Sequence, residues 1–390
     1  MAGGPLVERM RGFGTTIFAE MSALALATDS INLGQGFPDT DGPVEVLDAA
    51  AAAIRSGHHN QYPPGPGTPA LRRAIAEHQR RCYGLDYDPD DEVLVTAGAT
   101  EAIAAALIAL LEPVDEAIVF EPYYDSYPAG IAMAGAHRRV VTLRREGDGW
   151  AFDPDELRRA VTARTRLILL NTPHNPTGKV FSTAELDVIA DVARDHDLLV
   201  ITDEVYEHLV FDGRHVPLAT RPGMRERTIL VSSGGKTFSV TGWKIGWVCA
   251  PPALIAAVRT VKQFLTYVNG GPFQPAIAVG LALPDSYYAT AAQVLKEQRD
   301  LLCDGLEHLG WDVIRPQATY FATAQVAADA VEFCRDLPRK HRVVAIPSSV
   351  FYDGPGGDHL VRFAFCKRRS VLDEAVRRLA DNRESLAPQE

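Results

Sequence analysis

The stretch SSGGKTFSVTGWKIGW, residues 232–247, is the strongest candidate for chemistry in this sequence. It carries two of the seven lysines of the chain, Lys236 and Lys244, on a glycine-rich segment that follows an apolar run. A lysine in a desolvating pocket can lose its proton and form a Schiff base with an aldehyde. The hydroxyls of Ser232 and Ser233, together with the second ammonium, can bind an anion. The alternative is that both lysines are solvated surface charges.

Two common phosphate-binding motifs do not fit the sequence. The GKT at residues 235–237 is similar to the end of a P-loop, but that motif requires a glycine at position 230, where the sequence has leucine. A dinucleotide fingerprint fails as well, because the GQG at residues 34–36 is followed by Pro38 in a loop rather than by a strand-to-helix turn. The lysines therefore need another explanation.

Two further stretches place a polar side chain directly after an apolar run. In LLVITDEVY the run ends at Asp203, a position where α/β proteins build ligand sites, and Tyr206 follows closely. A buried carboxylate needs a partner, and a protonated ring nitrogen would serve. The alternative is that Asp203 only caps a helix. In LILLNTPHNPTGK the Asn-Pro-x-Gly turn favours Asn175 as an amide that points inward.

Two weaker signals concern anions. The small-residue turn in VLVTAGATEA leaves free backbone amides near Ala99 and Thr100 at the start of a helix, which is a natural phosphate site. In LVRFAF, Arg362 interrupts an apolar run, and a planar guanidinium suits bidentate binding of a carboxylate. The alternative for Arg362 is a surface position on an edge strand.

The elements that must position these residues alternate between β-rich and helical patterns. Short apolar runs, several of them apolar on both faces, predict seven strands at Val93–Thr96, Ala117–Phe120, Arg139–Leu143, Leu167–Leu170, Leu199–Thr202, Ile229–Ser232 and Ile245–Ala250. Helical patterns lie between them at Thr100–Leu111, Asp125–Ala134, Pro154–Ala163, Thr183–Asp195 and Pro252–Leu265. This alternation indicates an α/β fold with a mainly parallel, seven-stranded sheet.

The flanks have a different pattern. A short helical arm precedes the loop LGQGFPDTDGP, and a long helical pattern begins after Pro284 at Tyr287–Leu309. Short strands are predicted near Trp311–Ile314, Tyr320–Thr323 and Val361–Phe365, before a last amphipathic helix from Ser370. We therefore predict a large α/β domain over residues 36–284 and a smaller α+β domain formed by residues 1–35 and 285–390.

The composition argues against several function classes. The 390 residues contain 39 Lys plus Arg and 50 Asp plus Glu, and the net charge of −11 disfavours a general nucleic-acid binder. Five scattered cysteines without a C-x-x-C pair suggest neither a disulfide framework nor a zinc site. The sequence shows no signal-peptide pattern and no apolar run of membrane-spanning length. We expect a soluble cytoplasmic protein that binds no membrane and no metal.

The combined motifs resemble those of a known family. GQGFPD, NQY, VTAGATEA, EPYYDSYP, NTPHNPTGK, ITDEVY, SSGGKTFSVTGWKIGW and VRFAF occur in the order seen in class I/II aminotransferases. These are fold-type I enzymes that use pyridoxal 5′-phosphate (PLP), and the resemblance extends from about Phe13 to the last helix. The sequence is most similar to the branch with N-succinyldiaminopimelate, kynurenine–oxoglutarate and methionine aminotransferases and cysteine-S-conjugate β-lyases.

The resemblance implies catalytic roles for three of the candidates. Lys236 matches the lysine that binds PLP covalently and then moves the proton between the substrate Cα and cofactor C4′. Asp203 matches the acid paired with the pyridinium nitrogen, which keeps the ring an electron sink. Tyr206 and Asn175 match the groups that donate hydrogen bonds to the cofactor's phenolic oxygen, and Tyr124 matches the aromatic side chain stacked on the ring.

The resemblance also implies a phosphate site that two subunits share. Ala99, Thr100, Ser233 and Lys244 match the residues that bind the cofactor phosphate within one chain. Tyr62 matches a tyrosine that reaches the phosphate of the neighbouring subunit. The expected assembly is therefore a homodimer with shared active sites.

On the substrate side, Arg362 matches the arginine that binds the α-carboxylate, with the backbone of Gly36 beside it. The implied reaction is a ping-pong transfer from an L-amino acid to 2-oxoglutarate. Overall similarity favours N-succinyldiaminopimelate as the substrate. Phe18 stands where some kynurenine enzymes carry tryptophan, and the segment that begins at Tyr267 also differs from theirs. A pocket with Phe18, Tyr62, Tyr124 and Tyr267 would favour an aromatic or thioether side chain. The alternative is therefore a kynurenine, methionine or glutamine aminotransferase or a cysteine-S-conjugate β-lyase, and a lyase or oxidase on the same fold would share every motif.

Overall fold

A seven-stranded sheet forms the centre of this computed structural model, which describes residues 6–14 and 16–381. The strands of the described chain are β1 Ile31–Asn32, β2 Val93–Ala97, β3 Glu116–Glu121, β4 His137–Thr142, β5 Arg144–Glu146, β6 Gly149–Ala151, β7 Thr165–Asn171, β8 Leu199–Asp203, β9 Thr228–Ser233, β10 Ile245–Cys249, β11 Asp312–Ile314, β12 Phe321–Gln325, β13 Val343–Val344, β14 Ile346–Pro347 and β15 Leu360–Ala364.

Helices connect and cover these strands. The α-helices are α1 Ile17–Ala27, α2 Val44–Ser56, α3 Pro69–Tyr83, α4 Gly98–Leu110, α5 Ser126–Met133, α6 Pro154–Ala160, α7 Thr183–Asp195, α8 Gly234–Thr237, α9 Pro252–Leu265, α10 Phe273–Leu281, α11 Asp285–His308, α12 Ala330–His341 and α13 Arg369–Ala380. Short 3₁₀ helices span Glu8–Met10, Leu218–Thr220, Thr241–Trp243 and Ser348–Phe351. No helix among the described residues combines the length and the apolar character needed to cross a bilayer.

The central sheet has the strand order β2-β10-β9-β8-β7-β3-β4. Only β10 runs antiparallel to its neighbours, β2 and β9. The remaining pairs are parallel, and the predicted mainly parallel, seven-stranded α/β sheet is confirmed. All seven predicted central strands are present, with ends that differ by one or two residues.

The register of the sheet brings polar strand ends to one edge. Asn171, the last residue of β7, pairs with Asp203, the last residue of β8. On the other side of β8, Asp203 pairs with Val231 of β9, whose last residue is Ser233. Because parallel strands end at the same edge, these side chains face one crevice, which is where open α/β sheets bind ligands.

A second, antiparallel sheet has the order β11-β12-β15-β14. Its strand β15 carries Arg362, which pairs with Thr323 of β12 and Ile346 of β14. The N-terminal part of the chain joins this region, because Ile31 and Asn32 pair in parallel with Val343 and Val344. The boundaries that we predict at residues 36 and 284 stay a prediction.

Candidate active site

Asp203 is a buried carboxylate at the carboxyl end of β8. The Tyr127 hydroxyl on α5 donates a hydrogen bond to its Oδ2 atom at 2.7 Å, and the amide of Val205 donates to Oδ1 at 3.4 Å. Burial raises the pKa of Asp203 to about 6, although the Tyr127 hydrogen bond opposes the rise. A cation in the adjoining space would stabilise the ionised form.

Asn171 holds the loop after β7 at the edge of the sheet where Asp203 lies. Its side-chain amide donates to the backbone oxygen of Asp203 at 2.8 Å, and its side-chain oxygen accepts from the amide of Asn175 at 2.6 Å. The peptide bonds before Pro173 and Pro176 are cis. This loop presents the buried Asn175, and its Oδ1 atom accepts a hydrogen bond from Arg362 at 3.0 Å.

Arg362 is buried on β15, which lies between β12 and β14, so it does not occupy a surface position on an edge strand. Its Nη2 donates to the carbonyl of Gly34 at 3.1 Å, and its Nε has no partner among residues 6–14 and 16–381. The guanidinium carbon lies 4.0 Å from the ring centre of Phe321 and 5.3 Å from that of Phe18. Burial lowers the pKa of Arg362 to about 10, so it stays cationic at neutral pH and can hold a carboxylate.

Lys236 lies on α8, the single helical turn between β9 and the 3₁₀ helix that leads to β10. Its Nζ is 3.5 Å from the carbonyl oxygen of Gly36 and lies 5.8 Å and 5.6 Å from the ring centres of Tyr206 and Tyr320. Burial lowers the pKa of Lys236 to about 8, although Asp203 favours the charged form. The neutral amine, which is the nucleophile, is therefore accessible near neutral pH.

The N-terminus of α4 and Lys244 form an anion site beside these groups. Gly98 begins α4 with a φ of 75°, and a Cβ atom there would lie 3.2 Å from the Lys244 Nζ. Gly246 lets β10 approach the same turn, since a Cβ on it would lie 2.5 Å from the carbonyl carbon of Gly98. The free amides of a helix start together with an ammonium group suit a phosphate.

These groups meet in one cavity of about 410 Å³. The predicted site residues that line it are Phe18, Gly36, Ala99, Thr100, Tyr124, Asn175, Asp203, Tyr206, Ser233, Lys236, Lys244 and Arg362. A lysine amine, a buried carboxyl, a helix start beside an ammonium and a buried guanidinium therefore share one space. Of the predicted residues, Tyr62 and Tyr267 lie outside the residues that line it.

Comparison with known proteins identifies this arrangement. The family model of aminotransferase class I and II matches residues 28–379. A probable N-succinyldiaminopimelate aminotransferase from Mycobacterium tuberculosis is 55% identical over 96% of this chain and 98% of the relative. A methionine aminotransferase from Escherichia coli is 40% identical over 97% and 99%. The solved structure of N-succinyldiaminopimelate aminotransferase from Mycobacterium tuberculosis superposes with a TM-score of 0.95, at 55% identity, over 96% of this chain and 99% of that one.

The chain belongs to the class I and II aminotransferases. The predicted family, its PLP dependence and its transferase activity are confirmed. The side chains of this aminotransferase fit PLP on structural grounds as well. A buried acid whose pKa is raised by burial suits the ring nitrogen, and a glycine turn that a Cβ would fill, beside an ammonium, suits the phosphate. Asp203 would hold the ring nitrogen, Lys244 the phosphate and Lys236 the aldehyde carbon.

Two tyrosines of this aminotransferase lie on its surface. Tyr62 is 82% exposed and Tyr267 is 54% exposed, and their rings contact each other edge to face at 5.5 Å. Neither lines the cavity of its own chain. The roles predicted for them, a phosphate contact across a dimer for Tyr62 and a substrate wall for Tyr267, stay predictions.

Sequence reasoning missed several residues that shape the aminotransferase site. Tyr127, three residues after Tyr124, contacts Asp203 from the first turn of α5. Phe321 packs against the Arg362 guanidinium from the neighbouring strand. Because Tyr124 precedes α5, no helix-face pattern in the sequence points to Tyr127, and the approach of Phe321 depends on strand register.

Proposed function

We propose that this aminotransferase moves the amino group of an L-amino acid to 2-oxoglutarate in a ping-pong cycle, with N-succinyldiaminopimelate as the preferred donor. The observation that carries the proposal is the pairing of Lys236 and Arg362 in one cavity, a proton-transfer group and a carboxylate clamp. The 55% identical relative supports the choice of donor.

Lys236 is the proposed covalent and proton-transfer group. Bound PLP supplies an aldehyde for the amino group and a ring that accepts the electrons released when the Cα–H bond breaks. With its pKa lowered to about 8, Lys236 can take the proton from the substrate Cα and return it at cofactor C4′. The carbonyl of Gly36 and the ring of Tyr206 orient its Nζ.

Asp203 and Tyr127 are proposed to hold the ring nitrogen in its protonated form. An ionised Asp203 stabilises the adjacent positive charge, which in turn lowers the cost of the buried carboxylate. The Tyr127 hydroxyl fixes the carboxylate at 2.7 Å, so the acid is oriented before the cofactor arrives. Asn175 and Tyr206 are proposed to donate hydrogen bonds to the cofactor's phenolic oxygen.

Arg362 is proposed to bind the substrate α-carboxylate. Its Nε has no partner within the described chain, whereas Asn175 and Gly34 hold Nη1 and Nη2. The rings of Phe18 and Phe321 limit rotation of the guanidinium and exclude water from it. Both the donor and the keto-acid acceptor carry this carboxylate, so one clamp can serve both half-reactions.

Aromatic side chains around the cavity favour a second candidate function, transamination of kynurenine, methionine or glutamine, with cysteine-S-conjugate β-lyase activity as a variant. Phe18, Phe37, Tyr124 and Phe321 line the cavity. The cations that line it, Lys236, Lys244 and Arg362, already have proposed roles. A succinylated donor therefore needs neutral hydrogen-bonding groups, or residues of a second subunit, for its distal carboxylates.

We also propose a homodimer in which Tyr62 contacts the phosphate bound by its partner subunit. The support is the exposed pair Tyr62 and Tyr267, at 82% and 54%, whose rings contact each other edge to face at 5.5 Å. Contiguous exposed apolar side chains are found at interaction surfaces. Sedimentation equilibrium of the holoenzyme tests the assembly, and a monomer at micromolar concentration would overturn it.

A donor screen tests the proposed function. The purified holoenzyme is assayed for glutamate formation from 2-oxoglutarate with N-succinyldiaminopimelate, kynurenine, methionine or glutamine. We expect the highest kcat/KM for N-succinyldiaminopimelate and parallel double-reciprocal lines. A higher kcat/KM for kynurenine or methionine would support the second candidate, and release of ammonia with pyruvate would indicate the lyase. Intersecting lines would contradict the ping-pong order.

A further inference from the structure

A second cluster of chemically active side chains lies away from the cofactor cavity. His78 and Cys82 are four residues apart on α3, so they share one face of that helix, and His208 follows β8. The Nε2 atoms of His78 and His208 are 2.7 Å apart, and the ligating atoms of all three residues lie within 4.8 Å of one another. His208 is 126 residues or more from the other two in the sequence, so only the fold reveals the cluster.

We propose that His78, Cys82 and His208 bind a zinc-type divalent cation. Two imidazoles and a thiolate are the ligand set that zinc prefers among the common divalent metals. Zn–N bonds of about 2.0–2.1 Å in a tetrahedron place the two nitrogens roughly 3.3 Å apart. Binding of the ion would therefore move the two nitrogens about half an ångström further apart and move the Cys82 sulfur toward them.

The imidazoles are held in place by aromatic packing. The His208 ring stacks on Tyr288 with 4.1 Å between ring centres and an angle of 30°. The His78 ring contacts Tyr83 edge to face at 6.1 Å and meets His208 at 77°. Packed rings of this kind lower the entropy cost of binding because the ligands are oriented in advance.

An open cavity of about 380 Å³ gives access to the cluster. Cys82 and His208 line it, together with Glu207 and His215. The buried Glu207 accepts a hydrogen bond from Ser232 at its Oε1 atom, at 2.5 Å. The open side of the cavity leaves a fourth position for water.

The positive charges near the cavity are partly engaged by other groups. Arg81 donates to the carbonyls of Leu281 and Leu283 and lies 3.5 Å from an Asp285 oxygen. Arg81 and Arg214 nevertheless line the cavity, and the Arg81 guanidinium carbon lies 5.9 Å from the Tyr288 ring centre, so a bound cation has to be held by the thiolate and the two imidazoles in their presence. None of the three proposed ligands lines the cofactor cavity, although His208 and Tyr206 belong to the same turn after β8.

Cobalt substitution tests the site directly. The holoenzyme is freed of metal with a chelator, and Co²⁺ is added while the visible spectrum is followed. We expect about one tightly bound cobalt per chain, with the strong ligand-field bands of tetrahedral coordination and a thiolate-to-cobalt charge-transfer band. Addition of Zn²⁺ should displace the cobalt and abolish both features. A wild-type protein without these bands would overturn the proposal.

Paired variants locate the ion. Cys82→Ala should lose the charge-transfer band and weaken binding at least tenfold, whereas Cys334→Ala, a buried cysteine of α12, should leave the spectrum unchanged. His208→Asn retains Cys82, and it should weaken both the ligand-field bands and the affinity for cobalt. Circular dichroism and the visible band of bound PLP check that each variant is folded. Undiminished cobalt binding in both Cys82→Ala and His208→Asn would overturn the assignment.

Discussion

The Nη1 atom of Arg362 donates a hydrogen bond to the side-chain oxygen of Asn175 at 3.0 Å, although 187 residues separate them in the sequence. This bond joins the antiparallel sheet to the loop after β7. It fixes the arginine that would bind the substrate and the amide that would contact the cofactor in one unit. A change at Asn175 should therefore affect both substrate binding and cofactor binding.

Replacing Asn175 by alanine should lower kcat/KM by more than the loss of its cofactor contact alone would, because Arg362 also loses a hydrogen-bond partner. Arg362 would keep Gly34 as its partner but would have two unpaired nitrogens in a buried site. Since a hydrogen bond to a charged group contributes about 1.5–3 kcal/mol, kcat/KM should fall roughly 10- to 150-fold. Steady-state kinetics of the variant and the wild type measure this. An unchanged kcat/KM for Asn175→Ala would contradict the assignment.

Replacing Lys236 by alanine should abolish turnover while PLP still binds without a covalent link. Lys236 is the group near Gly36 and Tyr206 that can act as nucleophile, whereas Lys244 lies beside the proposed phosphate site. Borohydride reduction followed by mass spectrometry should attach PLP to the wild type and to Lys244→Ala, but not to Lys236→Ala. Multiple turnover by Lys236→Ala would refute the role.

The free energy of unfolding of the cofactor-free protein should depend on pH through Asp203. Burial raises the pKa of this carboxyl from 3.8 to about 6, so the folded protein binds more protons than the unfolded chain between these values. The contribution of Asp203 to stability is therefore complete below about pH 4 and is lost as the pH rises through 6. The loss is about 3 kcal/mol.

Asp203→Asn isolates this effect. The cofactor-free variant should lack the part of the pH dependence that comes from Asp203 and should melt above the wild type at pH 7. The same change should lower kcat at least a hundredfold, because the proposed partner of the ring nitrogen is lost. Thermal melts of both cofactor-free proteins at pH 4.5 and pH 7 provide the measurement. Equal pH dependence in the two proteins would contradict the prediction.

Gly98→Ala should lower the affinity for PLP. The residue has a φ of 75°, and the new methyl group would lie 3.2 Å from the Lys244 ammonium. Gly57→Ala is a matched control, because Gly57 has the same φ with no atom within 4 Å of the added Cβ. Both variants should lose about 1 kcal/mol of stability from backbone strain. Only Gly98→Ala should raise the PLP dissociation constant, and an equal rise in both would show that crowding at Lys244 is unimportant.

Tyr62→Phe should also weaken PLP binding if the tyrosine reaches the partner's phosphate. Loss of one hydrogen bond to a charged group should raise the dissociation constant roughly tenfold or more. Tyr267→Phe removes a hydroxyl from the neighbouring ring, 5.5 Å away, and should not alter PLP affinity. Fluorescence titration of the cofactor-free protein measures both. Equal affinities in the Tyr62→Phe variant and the wild type would contradict the shared site.

The central sheet could be predicted because its strands carry the signal locally. Apolar runs such as Leu167–Leu170 are buried between two helical layers and need no polar face. The predicted ends of Thr183–Asp195 are confirmed, and a capping box of Ser182 and Glu185 accounts for the start. The turn after β9 that carries Lys236 could be predicted for the same reason, because its glycines and lysine directly follow an apolar run.

Other helices were missed, one of them because its local pattern is weak. The helix α10, Phe273–Leu281, contains a proline and a glycine and has no charged face, since it packs against other helices. Its position depends on tertiary packing, which overrides propensity. The helix α2, Val44–Ser56, in contrast, buries Val46, Ala50 and Ala53 on one face and ends at Gly57, so its pattern could have been recognised in the sequence.

Within the site, the sequence indicates the groups at strand ends but not the contacts between distant segments. Asp203 and Lys236 follow apolar runs and could be identified. The stacking of Phe321 on Arg362 and the Tyr127–Asp203 hydrogen bond arise from register and helix rotation. These contacts determine the pKa and the orientation of Asp203 and Arg362. The sequence therefore indicates which chemical group each residue contributes, but not its pKa or its orientation.

The bond between the Gly34 carbonyl and Arg362 spans 328 residues. A ribosome that adds about 5–20 residues per second makes the second partner roughly 15–65 s after the first. During that interval the strands β7, β8 and β9 are already synthesised, with Asp203 and Lys236 among or beside them, but Arg362 is not. The proposed cofactor-binding groups are therefore made before the guanidinium that would bind a substrate.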